Sequence, residues 1–347
     1  MGGSAKSLLK LALAAAILLT IVFKLDLRDV LHTLLSVSPY AIAAALFIAL
    51  LQPLFAAARL SAVVALYARH LPFGNSLRTT LEGMFFGQTF VSFLGGDALR
   101  IWRIRGYNLP LRDAVSVVAF DRLIGIIINH VVLLASLPWL LTHISDQTVR
   151  VGLIGLAIAG VAGIVAVILL AVVPGRLGLF GRLPASIRSN RLVQSLLYTA
   201  SIGRHLLQPN RELFAACLMS LLTTLTNAAI FCVLLLGWRV ALPVAVACAL
   251  IVPAVLEIAM LPISVAGWGV REGTAILAFG ALGVSAEIAF NSSVVFALIV
   301  LAVSLIGGVL WLIDRREIEE LVTLNRGAEQ AEISMASLTA DESSKPS

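Results

Sequence analysis

VGLIGLAIAGVAGIVAVILLAVV, residues 151–173, carries no charged side chain and no alternation of polar with apolar positions. About twenty such residues match a helix crossing a hydrocarbon core of roughly 30 Å. A barrel strand would show short alternating segments instead. The rest of the chain repeats the pattern. Of its 347 residues, 60% are hydrophobic and 13% are charged, about half the charged share of an ordinary soluble chain. Lipid admits only helices and closed barrels, because every backbone polar group must be paired internally. The sequence therefore predicts an all-α, polytopic helical membrane protein of about seven to eight transmembrane helices with one or two re-entrant or broken elements. Apolar runs place crossings at 8–23, 40–66, 113–140, 150–173, 211–237, 240–262 and 287–313.

The first run follows Lys6 and Lys10 and could imitate a signal peptide, but KLDLRD comes after it instead of a small-residue cleavage pattern. It reads as a retained helix. Cys217, Cys232 and Cys248 stand singly in apolar runs and read as packing residues.

The net charge of +6 conceals an asymmetry. From Asp314 onward the chain carries −4 and residues 1–313 carry +10. That basic charge lies between the apolar runs, so it speaks of membrane topology and not of nucleic acid. The loop 174–211 holds six arginines with no acid. It is expected in the cytoplasm, with a surface helix near 186–207. Counting crossings from it places the N-terminus and the basic segment 98–112 in the cytoplasm too. Residues 78–96 then start and finish on one side. Their polar content (Glu82, Gly83, Gly87, Gln88) suits a re-entrant hairpin covered by protein. Residues 1–315 read as one membrane domain and 316–347 as a short acidic tail, largely disordered.

Two segments run from glycines directly into charge: FLGGDALRIWRIRG at 93–106 and SVAGWGVREG at 264–273. In the first, Gly95 and Gly96 are expected at the hairpin turn, with Asp97 and Arg100 at its base. In the second, Gly267 and Gly269 are expected to interrupt a helix. That element is either a second hairpin or a broken crossing, and Arg315–Arg316 favour the crossing, with the tail inside. Interrupted helices in both halves of a chain are a common way to build a transport site.

Charges inside apolar runs cost about 2.5–3.5 kcal/mol each on insertion scales, so each needs a reason. Arg59 follows Pro53 in the second run and either snorkels to the surface or lines a cavity. Asp121 and Arg122 are neighbours, which on a helix do not face each other, so each needs a partner elsewhere or a ligand. Asn129 and His130 read as a helix–helix hydrogen bond. Glu257 must pair with a cation or hold a proton, and Arg271 and Glu272 are its expected neighbours. An arginine fork beside backbone N–H groups forms a phosphate-sized anion site, which singles out Arg100.

Taken together, FLGGDALR, VVAFDRLIG and LPISVAGWGVREG resemble the lysylphosphatidylglycerol synthase transmembrane-region family, also described as flippase-like, over about residues 5–315. The resemblance implies a membrane domain that handles amphipathic lipids. Full-length synthases add a large soluble aminoacyl-transferase domain. This chain ends about thirty residues past its last apolar run, so aminoacylation is not expected of it. Gly95–Gly96 also stand where many relatives have a proline among the glycines.

The expected function is lipid translocation across the cytoplasmic (plasma or inner) membrane. Arg59, Arg100, Arg122 and Arg271 would bind lipid phosphate, and Asp97, Asp121, Glu257 and Glu272 would pair with them or carry protons. No GxxxxGK[ST] loop is present, so direct ATP drive is not expected, and neither is any cofactor or metal. The partners expected are membrane lipids, together with enzymes of envelope-lipid synthesis. The alternative is a membrane-embedded enzyme or an accessory subunit of envelope-lipid (phospholipid, polyprenyl or hopanoid) biosynthesis; no catalytic motif is visible. The broken-crossing reading makes a direct prediction. In a cysteine-free background, a cysteine at Ser347 is protected from a membrane-impermeant thiol reagent until the membrane is opened. Labelling in sealed cells would place the tail outside and favour the second hairpin.

Overall fold

The computed structural model describes Thr33 and residues 36–88, 94–107, 109–176, 210–260 and 267–313. The expected crossing at 8–23, the surface helix at 186–207 and the acidic tail lie outside the described residues. Within them the chain is helical: α1 (Pro39–Leu66), α2 (Phe73–Gly87), α3 (Leu94–Arg105), α4 (Leu111–His143), α5 (Gln147–Arg176), α6 (Arg211–Gly237), α7 (Leu242–Ala259), α8 (Val270–Gly280) and α9 (Ala286–Ile313). Among the described residues, six helices are long and apolar enough to cross a membrane: α1, α4, α5, α6, α7 and α9. The other three have 15, 12 and 11 residues. At 1.5 Å per residue they reach about 16–23 Å, too short to cross alone.

In lipid there is no hydrophobic drive to bring helices together, so close approach of small residues does that work. On α1, Ala41, Ala45 and Ala49 recur every fourth residue and are buried. They form part of the face that gives α1 its extensive packing on α6, and Gly237 meets Ala41 and Val37 where a side chain would collide. α1 runs unbroken through Pro53.

The hairpin expected at 78–96 is longer than that: its arms are α2 and α3, so residues 97–105, expected in a basic loop, form most of its second arm. Glu82 of α2 is opposite Arg103 of α3, and Gly83 is opposite Arg100. Gly96 backs onto Gly83 and Gly87. The two helices are therefore antiparallel. The hairpin opens at the C-terminal end of α1, where Tyr67, Leu71, Ile104 and Leu109 share one apolar cluster.

One expectation is corrected here. Gly95 and Gly96 lie in the first turn of α3 and not between the two helices of the hairpin. Gly96 serves contact: a Cβ there would strike the carbonyl oxygen of Gly83.

The second glycine segment interrupts the chain between α7 and α8. Gly267 and Gly269 have φ of +80° and +85°, a region that glycine enters without steric penalty. The Gly269 N–H donates to a Glu272 carboxylate oxygen at 2.6 Å, which fixes the start of α8. α8 then runs to the far end of the bundle, where Phe279 meets Phe231 of α6 edge-on and Phe231 stacks on Phe296 of α9. α9 returns along the bundle, and its Leu310 carbonyl accepts from Arg78 at 3.2 Å. Residues 267–284 therefore lead from the break after α7 to the far end of the bundle. The chain leaves α9 at the end where the α2–α3 hairpin opens.

α2 is seated on α9 through paired glycines. A Cβ on Gly307 would overlap the Leu81 carbonyl, and one on Gly308 would lie 2.8 Å from the Phe85 ring. Phe86 meets Trp311 edge-on at 5.1 Å beside them. Backbone cannot yield as a flexible side chain does. Gly307→Ala is expected to destabilise the fold by about 1–3 kcal/mol, read as a lower thermal midpoint in detergent. Gly152→Ala, on α5 with open space around it, should leave the midpoint unchanged.

Candidate functional site

The buried charges resolve into a few pairs that tie separate helices together. Arg59 on α1 grips Asp121 on α4 with two bonds, Nε to Oδ1 at 2.7 Å and Nη2 to Oδ2 at 3.1 Å, and its Nη1 donates to Ser220 of α6 at 3.3 Å. Bidentate forks of this kind are among the strongest side-chain contacts. Asp121 also faces Arg100 of α3, whose Nη1 lies 3.6 Å from Oδ2. That is an ion pair without a hydrogen bond. Arg122, one residue along and pointing elsewhere, donates to Asp97 of α3 at 2.8 Å. Arg271 binds its neighbour Glu272 at 2.6 Å and donates from Nε to Ser293 at 3.0 Å. Its guanidinium lies 5.3 Å from the Trp268 ring centre and 5.6 Å from that of Phe296. Glu82, fully buried, is held by Arg78 at 2.9 Å and by Arg103.

Glycines make room for these cations. A Cβ on Gly83 would lie 2.6 Å from Arg100 Nε, and one on Gly125 would lie 3.0 Å from Arg59 Nη1. Arg100 is 8% exposed. Its Nε is buried and has no hydrogen-bond partner among the described residues. This arginine therefore sits on the second turn of a helix against a glycine seat, and not beside turn N–H groups as its sequence neighbours suggested. Arg59 is also not a snorkelling side chain: its partner and Ser220 hold it inside the bundle.

All four arginines singled out in the sequence open onto one cavity of about 360 Å³. The cavity lies beside the C-terminal ends of α2 and α7. Gly87 and Gln88 come from the α2–α3 hairpin, and Ala259, Met260 and Gly267 from the α7–α8 break. Its other wall was missed by sequence reasoning. Gln52 of α1 and Ser220, Thr223, Thr224 and Asn227 of α6 line it, and the Gln52 side-chain amide donates to Asn227 Oδ1. The signal was present as polar residues inside apolar runs, LLQPLF and LLTTLTN. Neutral side chains in such runs cost little and attract less notice than charges.

Glu257 pairs differently from expectation. Its partner is His130 of α4, at 3.1 Å from Nδ1. Arg271 and Glu272 are instead bound to each other. The second ring nitrogen of His130 lies 3.2 Å from the Ala157 carbonyl of α5. The imidazole fits against Gly160, where any side chain would overlap it. Asn129 donates to the Pro253 carbonyl at 3.0 Å. Of Asn129, His130 and Glu257, only Asn129 reaches the cavity wall. The His130–Glu257 pair stands behind it and joins α4, α5 and α7. Among the described residues, no three His, Cys, Asp or Glu side chains converge as a metal site would require.

The model of the Lysylphosphatidylglycerol synthase TM region matches residues 7–308. The chain belongs to the lysylphosphatidylglycerol synthase transmembrane-region family. It is a multi-pass membrane protein of a family concerned with lipid-related processes. Comparison with curated proteins gives no match. In this family member the arginine cavity sits inside the matched region.

The two aspartates should differ sharply in what they contribute. Asp121 has a side chain 2% exposed and serves two arginines, whereas the Arg122–Asp97 pair is 32% and 21% exposed. Removing one partner of a buried pair costs about 3–5 kcal/mol, and an exposed pair contributes about 0–1 kcal/mol. Asp121→Asn should therefore lower the unfolding midpoint in detergent markedly, and Asp97→Asn should barely move it. Equal shifts would remove Asp121 from its central position.

Proposed function

We propose that this protein translocates a phosphate-bearing lipid across the cytoplasmic membrane, with the headgroup passing through the arginine cavity. The observation that carries the reading is the convergence of Arg59, Arg100, Arg122 and Arg271, from four separate helices, on one cavity. A phosphate leaving water loses its hydration, and a fixed set of charge-assisted donors replaces it. Asp97, Asp121 and Glu272 hold three of the arginines in place by direct hydrogen bonds. Four guanidinium charges against three carboxylates leave one positive charge for the ligand, and Arg100, whose Nη1 lies 3.6 Å from Asp121 without a hydrogen bond, is where a phosphate oxygen would bind. The cavity volume lies at the small end of ordinary ligand sites, suited to a headgroup whose acyl chains stay in lipid.

In this proposal the basic loop and the open end of the α2–α3 hairpin face the cytoplasm, as the positive-inside rule requires. The two interrupted elements approach the cavity from opposite ends, an arrangement suited to alternating access. Movement is passive or ion-coupled and not driven directly by ATP.

The test is reconstitution into liposomes containing a labelled anionic phospholipid, with a membrane-impermeant quencher reporting the outer leaflet. Wild-type protein should equilibrate the label between leaflets. Arg100→Ala should slow it at least about tenfold, since a hydrogen bond to a charged group contributes about 1.5–3 kcal/mol. Arg100→Gln, which keeps the packing against Gly83, should show the same loss. Equal rates for wild type, both variants and empty liposomes would overturn the proposal.

A further inference from the structure

Both ring nitrogens of His130 face oxygen. Nδ1 lies 3.1 and 3.2 Å from Oε1 and Oε2 of Glu257, and Nε2 lies 3.2 Å from the Ala157 carbonyl. A neutral imidazole has one N–H, and an ionised carboxylate only accepts. With His130 neutral and Glu257 ionised, one nitrogen must turn its lone pair toward an oxygen lone pair. One further proton removes the conflict. Either His130 becomes an imidazolium that donates to both oxygens, or Glu257 becomes an acid that donates to Nδ1 while Nε2–H donates to Ala157. In both forms the pair is neutral overall, which suits side chains 1% and 11% exposed.

The charged groups on the surrounding helices are committed elsewhere. On α4, Asp121 is bound to Arg59 of α1 and Arg122 to Asp97 of α3, while Arg112, Asp113 and His143 stand at the helix ends. On α8, Arg271 is bound to Glu272. α5 carries no charge between Arg150 and Arg176, α6 none between Glu212 and Arg239, and α7 none besides Glu257. The thiols of Cys217, Cys232 and Cys248 lie in the apolar clusters.

The pair stands directly behind the cavity. Asn129, next to His130, and Leu256, next to Glu257, both line it. Asn129 also donates to the Pro253 carbonyl, one helical turn before Glu257. Charge on the pair and charge in the cavity are therefore felt together in a low-dielectric interior. The four cavity arginines exceed the three carboxylates bound to them by one positive charge. With the pair protonated, a singly charged anion cancels that surplus. With the anion gone, loss of the proton leaves the pair negative and cancels it again. Proton and anion together, or neither, keep the interior neutral; either one alone leaves a net charge.

We infer that the His130–Glu257 pair is a proton-binding site and that one proton travels with each singly charged anionic ligand. The proton is taken from water on the side where the anion enters and returned to water where it leaves. The coupling rests on the reading of the cavity as a translocation site; the proton site stands on its own geometry.

Infrared difference spectra of the full chain in neutral detergent, taken between about pH 5 and about pH 9, test the site. Wild-type protein should show one carboxyl or imidazole transition that is lost from both Glu257→Gln and His130→Gln. Glu257→Gln keeps the contacts, because its amide donates to Nδ1 while Nε2–H donates to Ala157. No transition in the wild type, or one that survives in Glu257→Gln, would overturn the site. Adding an anionic phospholipid should move the wild-type transition to higher pH by about one unit, since linkage is reciprocal. An unmoved transition would overturn the coupling, whether or not transport is seen.

Liposomes give the second reading, with the membrane potential clamped at zero and a trace of labelled anionic phospholipid. A pH difference of about one unit should concentrate the label about tenfold in the leaflet facing the more alkaline side, because one proton per lipid makes the two gradients equal and opposite. Glu257→Gln should leave the label evenly distributed. An even distribution in wild-type liposomes that do exchange the label would overturn the coupling. Liposomes that never exchange it sink the transport proposal alone, and the spectra still decide the proton site.

Discussion

A guanidinium keeps its proton under essentially all conditions, so an arginine buried in a membrane domain brings a fixed charge that must be met by a counter-charge. In this protein that constraint is concentrated on Asp121. One carboxylate on α4 accepts two bonds from Arg59 of α1 and faces Arg100 of α3. Crossing helix, neighbouring crossing helix and hairpin are thereby fixed around a single residue. The pairs Arg122–Asp97 and Arg271–Glu272 extend the arrangement to the rest of α3 and to α8.

Charge needs space as well as a partner, and glycine supplies it. Gly83 and Gly125 admit Arg100 and Arg59, and Gly160 admits the His130 ring. The same residue type lets backbones close on one another, as at Gly96 in the hairpin and Gly307 beneath it. The glycines of this chain therefore do two jobs that a sequence does not separate. Only Gly267 and Gly269, with positive φ, serve the turn geometry expected of them.

The two interrupted elements explain why a cavity exists at all. A bundle of complete crossing helices would fill its interior with apolar side chains, as the cluster around Phe231 does. Where α2 and α7 end, the space beside them is left to arginines on one side and amides and hydroxyls on the other. The short helices α2, α3 and α8 are thus part of the site as much as of the fold.

Long uncharged runs settled the fold class and the position of the described crossings, because lipid leaves a chain no other way to pair its backbone. Charge counting along the loops placed the hairpin between 78 and 96, since a full crossing there would strand arginines on the wrong side. The cost of charge in an apolar run marked Arg59 and Arg122, and the two glycine segments marked Arg100 and Arg271. Which carboxylate each arginine would take was not legible, because every partner but Glu272 lies on another helix, and register between helices is set by packing contacts far apart in the chain. For the same reason Glu257 met His130 and not Arg271, and Gly96 served contact and not a turn. The neutral wall of Gln52 and Asn227, 175 residues apart, came into being only when α1 packed on α6. The sequence by itself determined that charge would be buried, and the tertiary structure alone decided that it would be gathered in one place.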